Sequence, residues 1–90
     1  MTAWSLLFLS ALWGLATPAL GSQVVTCTTE PRETWLTESD MRRRIADLGY
    51  QVDVFKTTIG GCYEIYGRAG GRRVEVYFDP RTGDIVRQSR

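Results

Sequence analysis

The residues able to do chemistry in this chain are few. There is no histidine and no asparagine. A serine hydroxyl therefore lacks the imidazole that usually takes its proton. Cys27 and Cys62 are the only cysteines. Neither belongs to a C-x-x-C motif, and no imidazole is present to make either a thiolate. An even cysteine count in an exported chain reads as one structural disulfide. With both sulfurs used in that way, no soft-ligand zinc site can be assembled. Cys27 as a lipid-modified terminus fits poorly, because Val24, Val25 and Thr26 before it are not a run of small residues. Gly67 to Gly71 is glycine-rich, but it joins two predicted strands and no helix follows, so it is not a phosphate loop. Asp79 and Asp84 flank a turn at a spacing that fits no calcium loop. A carboxylate pair for hydrolysis needs a cleft, for which a two-layer domain of this size has little room. The reading is of a chain that is not an enzyme, with no catalytic residue, no cofactor and no metal site.

The elements that position these residues are legible around Gly61–Val86. Val74, Val76 and Phe78 alternate with Glu75, Tyr77 and Asp79, and Tyr63 and Ile65 alternate with Glu64 and Tyr66. That is the period of half-buried strands. Between the two runs, Gly70 and Gly71 supply positive φ for a hairpin. Asp79-Pro80-Arg81-Thr82-Gly83 reads as a turn, with Pro80 setting φ, Asp79 bonding the backbone ahead and Gly83 in the left-handed position. Asp84-Ile85-Val86 starts the last strand. Upstream, Gln51-Val52-Asp53-Val54-Phe55-Lys56 is the first strand, with Val52 and Val54 on one face and Asp53 and Phe55 on the other.

A helix from about Glu38 to Leu48 precedes the sheet. Thr37 is its N-cap, with Asp40 at the third helical position, and Leu36 and Met41 take the staple positions. Met41, Ile45 and Leu48 form one apolar stripe, and Gly49 is a left-handed cap after which Tyr50 packs back on Ile45. Arg42, Arg43 and Arg44 spread around the helix and read as a solvated face rather than a basic patch. The fold class is α+β: one helix packed on a four-stranded antiparallel meander. The helix stripe is expected to pack on Val52, Val54, Tyr63, Ile65, Val74, Val76, Phe78 and Ile85.

Ninety residues allow one domain, and the formal net charge of +1 gives no footprint for nucleic acid or an anionic membrane surface. Met1 to Thr29 carries no charged side chain. Its apolar run from Leu6 to Leu15, followed by Ala19-Leu20-Gly21, reads as a signal peptide over residues 1–21 cleaved before Ser22. The n-region departs from that pattern in having no Lys or Arg, and an uncleaved membrane anchor is the alternative. The remaining chain divides into an N-terminal arm, residues 22–34, and the domain, residues 35–90. Trp35 and Leu36 dock the arm, and the disulfide ties it to the sheet. The protein is expected to be periplasmic or secreted, with no stable membrane insertion after cleavage. A chain below roughly 70–80 residues seldom stands without a staple.

W-L-T-E-S-D-M-R-R-R-I-A-D-L-G-Y-Q-V, then G-C-Y-E-I-Y-G, then R-R-V-E-V-Y-F-D-P-R-T-G-D-I-V resembles a PepSY domain over Trp35 to Val86. It is most similar to the small exported single-domain members. Such domains occur in the propeptides of thermolysin-type metalloproteases, in spore-germination proteins and as separate exported modules. The resemblance implies a helix-on-sheet fold and a role in restraining peptidases. It implies no catalytic residues. With no protease attached, restraint would act in trans.

Three function classes follow: a non-catalytic binding or inhibitory module with a protein partner such as a peptidase; a small-ligand-binding or sensory module; and a structural envelope protein. Strand parity places Phe55, Glu64, Tyr66, Glu75 and Tyr77, with Asp53 and Val86, on the sheet face away from the helix. Three aromatics among acids suit a docking surface, because their rings give contact area with few rotamers to lose. Two plainer readings stand beside it: aromatics are good strand formers, or the disulfide-linked arm crosses and covers these rings.

Overall fold

The computed structural model describes residues 24–90; the expected signal peptide over 1–21 and the expected cleavage before Ser22 lie outside the described residues. Helix α1, Glu38–Asp47, forms where its punctuation places it. Thr37 Oγ1 accepts from the Asp40 amide at 3.1 Å. At the other end, the Gly49 amide donates to Ala46 O (2.9 Å) and the Tyr50 amide to Ile45 O (3.2 Å), the two bonds of a Schellman ending. The three arginines go three ways. Arg42 reaches Glu38 (2.8 Å), Arg43 reaches Asp40 (3.1 Å), and Arg44 donates to Gly83 O (2.9 Å) beside Asp84. No shared basic patch forms on α1.

Four strands follow: β1 Gln51–Thr57, β2 Tyr63–Ala69, β3 Arg72–Phe78 and β4 Ile85–Ser89. They make one antiparallel sheet in the order β1-β2-β3-β4. Gly70 and Gly71, at φ +60° and +80°, form the two-residue turn that closes Ala69 on Arg72. This is the mirror-image turn that matches strand twist. In the last turn Asp79 Oδ1 accepts from the Arg81 amide at 2.8 Å, and the Gly83 amide donates to Asp79 O at 2.7 Å.

Met41 and Ile45 bury against Tyr63, Ile65, Val74, Val76 and Phe78, with Trp35, Leu36, Tyr50, Val52, Phe55 and Ala69 packed around them. Three expected core residues lie outside. Leu48, Val54 and Ile85 are 49%, 48% and 43% exposed. Leu48 is the C-cap, where the chain is already turning away, and Tyr50 takes its place with an edge-on contact to Phe78. Ile85 pairs with Phe78, but β4 is an edge strand and all five of its residues are exposed.

Val54 is displaced by a β-bulge. Val52 pairs with Gly67 and Val54 with Tyr66, so Asp53 is an extra residue in β1 with no partner. Such an insertion reverses the side-chain parity of everything after it. Phe55 therefore pairs with Ile65 and turns to the helix side, while Val54 and Lys56 turn away. A second irregularity, at Val86 between the Tyr77–Arg87 and Phe78–Ile85 pairs, places Arg87 beside Tyr77.

Cys27 and Cys62 form a disulfide with Cα atoms 5.1 Å apart. Val24–Thr29 forms no strand, despite its β-propensity, and a single 3-10 turn at Arg32–Thr34 leads to the helix. The arm instead lies along the loop before β2. The Cys27 amide donates to Gly60 O at 2.9 Å, and a Cβ on Gly60 would collide with the Val25 carbonyl. Trp35 docks as expected: its ring stands edge-on to Tyr63 with centroids 5.4 Å apart, and its Nε1 donates to Glu30 O at 3.1 Å.

Candidate functional site

The face of the sheet away from α1 is built by alternation. Ile65 and Gly67 face the helix, so Glu64, Tyr66 and Arg68 of β2 face away, as do Arg73, Glu75 and Tyr77 of β3. The bulge adds Val54 and Lys56 from β1, and β4 contributes Arg87 and Ser89. Glu64 lies directly opposite Tyr77, and Tyr66 directly opposite Glu75. Four of the five residues expected on this surface are thus brought together. Phe55 is not among them. Its ring packs at 5.0 Å from Tyr63 on the helix side, under the Arg42 guanidinium at 4.8 Å.

The four residues form one polar network. The Tyr77 hydroxyl donates to Glu75 Oε2 at 3.0 Å. Lys56 Nζ stands 3.9 Å from Glu64 Oε1 and 5.4 Å from the centre of the Tyr66 ring. Glu64 is the buried member, only 3% exposed, where parity alone would have left it in water. Val24 and Val25 of the arm border the depression that holds Glu64 and Tyr77. The arm therefore borders that end of the face, while Tyr66 remains 41% exposed. The covering reading does not hold for Tyr66, and its place in β2 is equally that of a good strand former.

The electrostatics follow from this burial. Glu64 Oε2 meets no hydrogen-bond donor in its surroundings. Burial first, and hydrogen bonding to Glu75 second, push its carboxyl above the usual value. Glu75 is held below the usual value, chiefly as the acceptor of that bond and further by the Tyr77 hydroxyl. The two carboxyls are shifted in opposite directions, so of the pair Glu64 is the one whose neutral form the surroundings favour. A protonated Glu64 resolves its own unpartnered oxygen, since it then donates to Glu75. The Tyr77 phenol is raised by burial and by its bond to Glu75. The Tyr66 phenol is raised mainly by the charge of Glu64.

Such a cluster can hold a proton and present a ring flanked by charges. Among the described residues, no group of three or more His, Cys, Asp or Glu is placed to hold a metal ion. Strand parity missed Lys56. The available signal was the pair of adjacent apolar residues, Val54 and Phe55, which strict alternation cannot bury together.

A family model described as peptidase propeptide and YPEB domain matches residues 5–89. The chain belongs to the PepSY family. No curated protein and no solved structure matches it. The family match covers both edges of the PepSY sheet and the helix, and thus includes every residue of the polar cluster. Among the described residues of this PepSY protein, no helix is long and apolar enough to cross a membrane.

Proposed function

We propose that this PepSY domain is a non-catalytic, exported binding module that restrains a peptidase in trans, with its partner seated on the open sheet face around Tyr66. The observation that carries the reading is the exposure of Tyr66. It lies on β2, an inner strand, opposite Glu75 and under Lys56, and it is 41% exposed. Rings ringed by charge on an otherwise solvated face are the usual anchors of protein interfaces. The peptidase enters from the family description. The disulfide supports an oxidising compartment, periplasmic or extracellular.

A small-ligand or sensory module is the alternative, and one feature favours it: a groove of about 390 Å³ beside Tyr66. Its walls include Asp53, Arg68, Arg73, Glu75 and Arg90. Small-molecule pockets are mostly apolar with a few placed polar groups, and Tyr66, Gly67 and Val74 supply apolar surface among these charged walls.

The test is direct. The purified, oxidised domain is added to the exported peptidase fraction of its own source, and peptide hydrolysis is followed. The expected result is a concentration-dependent slowing that reaches a plateau. Hydrolysis unchanged at saturating domain would remove the peptidase reading.

A further inference from the structure

We infer that the hairpin end of the open face is a carboxylate-binding site, and that it takes an acidic side chain from an extended peptide. The inference goes beyond the peptidase reading and does not depend on it.

Three observations carry it. First, Arg68 and Arg73 are direct cross-strand partners on the open face. Like charges in that relation repel across roughly 5 Å between Cβ atoms. Nothing in the hairpin requires it, since Gly70 and Gly71 already set the register. An anion between the two guanidiniums turns the repulsion into a two-sided clamp, and the planar fork of Arg suits a carboxylate.

Second, the two arginines are not equally occupied. Arg68 Nη2 is held by Asp53 Oδ1 at 3.1 Å, which fixes its position. Among the described residues Arg73 and Arg90 make no ion pair, and both line the same groove. The walls thus carry Arg68, Arg73 and Arg90 against Asp53 and Glu75. Asp53 is already spent on Arg68, and Glu75, which accepts from Tyr77, keeps its charge. The walls carry one net positive charge, and among the described residues Arg73 is the cross-strand arginine without an ion-pair partner.

Third, the groove is long. It reaches from Asp53 on β1 to Ser89 on β4. At ordinary strand spacing that is roughly 14 Å. A lone anion needs far less, whereas an extended segment of about four residues spans it. Tyr66 lies along the same groove and offers a ring to an apolar neighbour of the acidic residue.

The experiment is an NMR titration of the oxidised domain with acetyl-Gly-Glu-Phe-Glu-Gly-amide, with its Gln-for-Glu counterpart and inorganic phosphate as parallel arms. The expected result is saturable shifts of Tyr66, Arg68, Arg73 and Glu75 with the Glu peptide and much weaker ones with the Gln peptide. Arg73→Glu should weaken binding roughly tenfold, the loss of one charge-assisted contact, and Arg73→Gln should weaken it less. Arg72→Glu, which alters the same hairpin outside the groove, should leave binding nearly intact. Equal binding of the Gln peptide would overturn the carboxylate claim. Equal loss in Arg72→Glu would show general charge attraction instead of a site. Tighter binding of phosphate at the same resonances would overturn the peptide as occupant. A melting curve of each variant separates lost binding from lost fold.

Discussion

The hydroxyl of Tyr77 donates to Glu75 Oε2 at 3.0 Å. That bond helps hold Glu75 ionised, while Glu64, diagonal to it across β2 and β3, is buried with one oxygen lacking a donor. The opposite shifts of these two carboxyls have consequences for stability that can be given a sign.

Glu64 is raised above its ordinary value of 4.5 in the folded protein. The stability it contributes is therefore present below that value and is lost as pH rises through its folded value. Glu75 is lowered, so its contribution is present above 4.5 and is lost as pH falls through its own folded value. Stability should peak between the two folded values and decline toward neutral pH. In Glu64→Gln the amide can still donate to Glu75 but cannot ionise. Thermal melts across pH should show this variant losing less stability than wild type between pH 4.5 and neutrality. Parallel curves would mean that Glu64 is not the buried proton carrier.

Much of the architecture was readable because each helix and turn signal is local. Thr37, Gly49, Pro80 and Gly83 mark their elements through their own backbone chemistry, with no need of tertiary contacts. The parity of β1 was not readable in the same way. A bulge is decided by which register buries more apolar surface across the sheet. Here burying both Val52 and Phe55 wins over burying Val52 and Val54. That one insertion moved Phe55 out of the candidate face and Lys56 into it. The burial of Glu64 was likewise hidden, because it depends on tertiary neighbours that strand parity does not reveal.

The core is small enough that a single truncation should be felt. Ile45 and Val76 are both 0% exposed. Ile45→Ala should cost roughly 2–4 kcal/mol, and Val76→Ala slightly less. Leu48→Ala, at a half-exposed cap, should cost well under half as much. Denaturant melts of the three variants check the order, and a larger loss at Leu48 than at Ile45 would put the wrong residue in the core.

The disulfide and Gly60 act on the same contact. The bond closes a loop of 35 residues, worth roughly 3–4 kcal/mol in the chain-entropy model. Paired Cys27→Ser and Cys62→Ser changes should lower stability by about that amount. Gly60→Ala should displace the arm by collision with the Val25 carbonyl while leaving the bond in place. Hydrogen exchange would then show the Cys27 amide, which now bonds Gly60 O, losing protection. Protection equal to wild type would mean that the arm is held by the bond alone.

Tyr66 offers the sharpest test of the docking face, because it is exposed and bears no core contact in the hydrophobic cluster. The measurement is the concentration of domain that half-inhibits the exported peptidase activity, compared between wild type and Tyr66→Ala. The expected result is an unchanged melting temperature and a loss of potency of at least roughly tenfold, the effect of removing an interface anchor. Equal potency in a folded Tyr66→Ala protein would contradict the claim that the partner is held on this face.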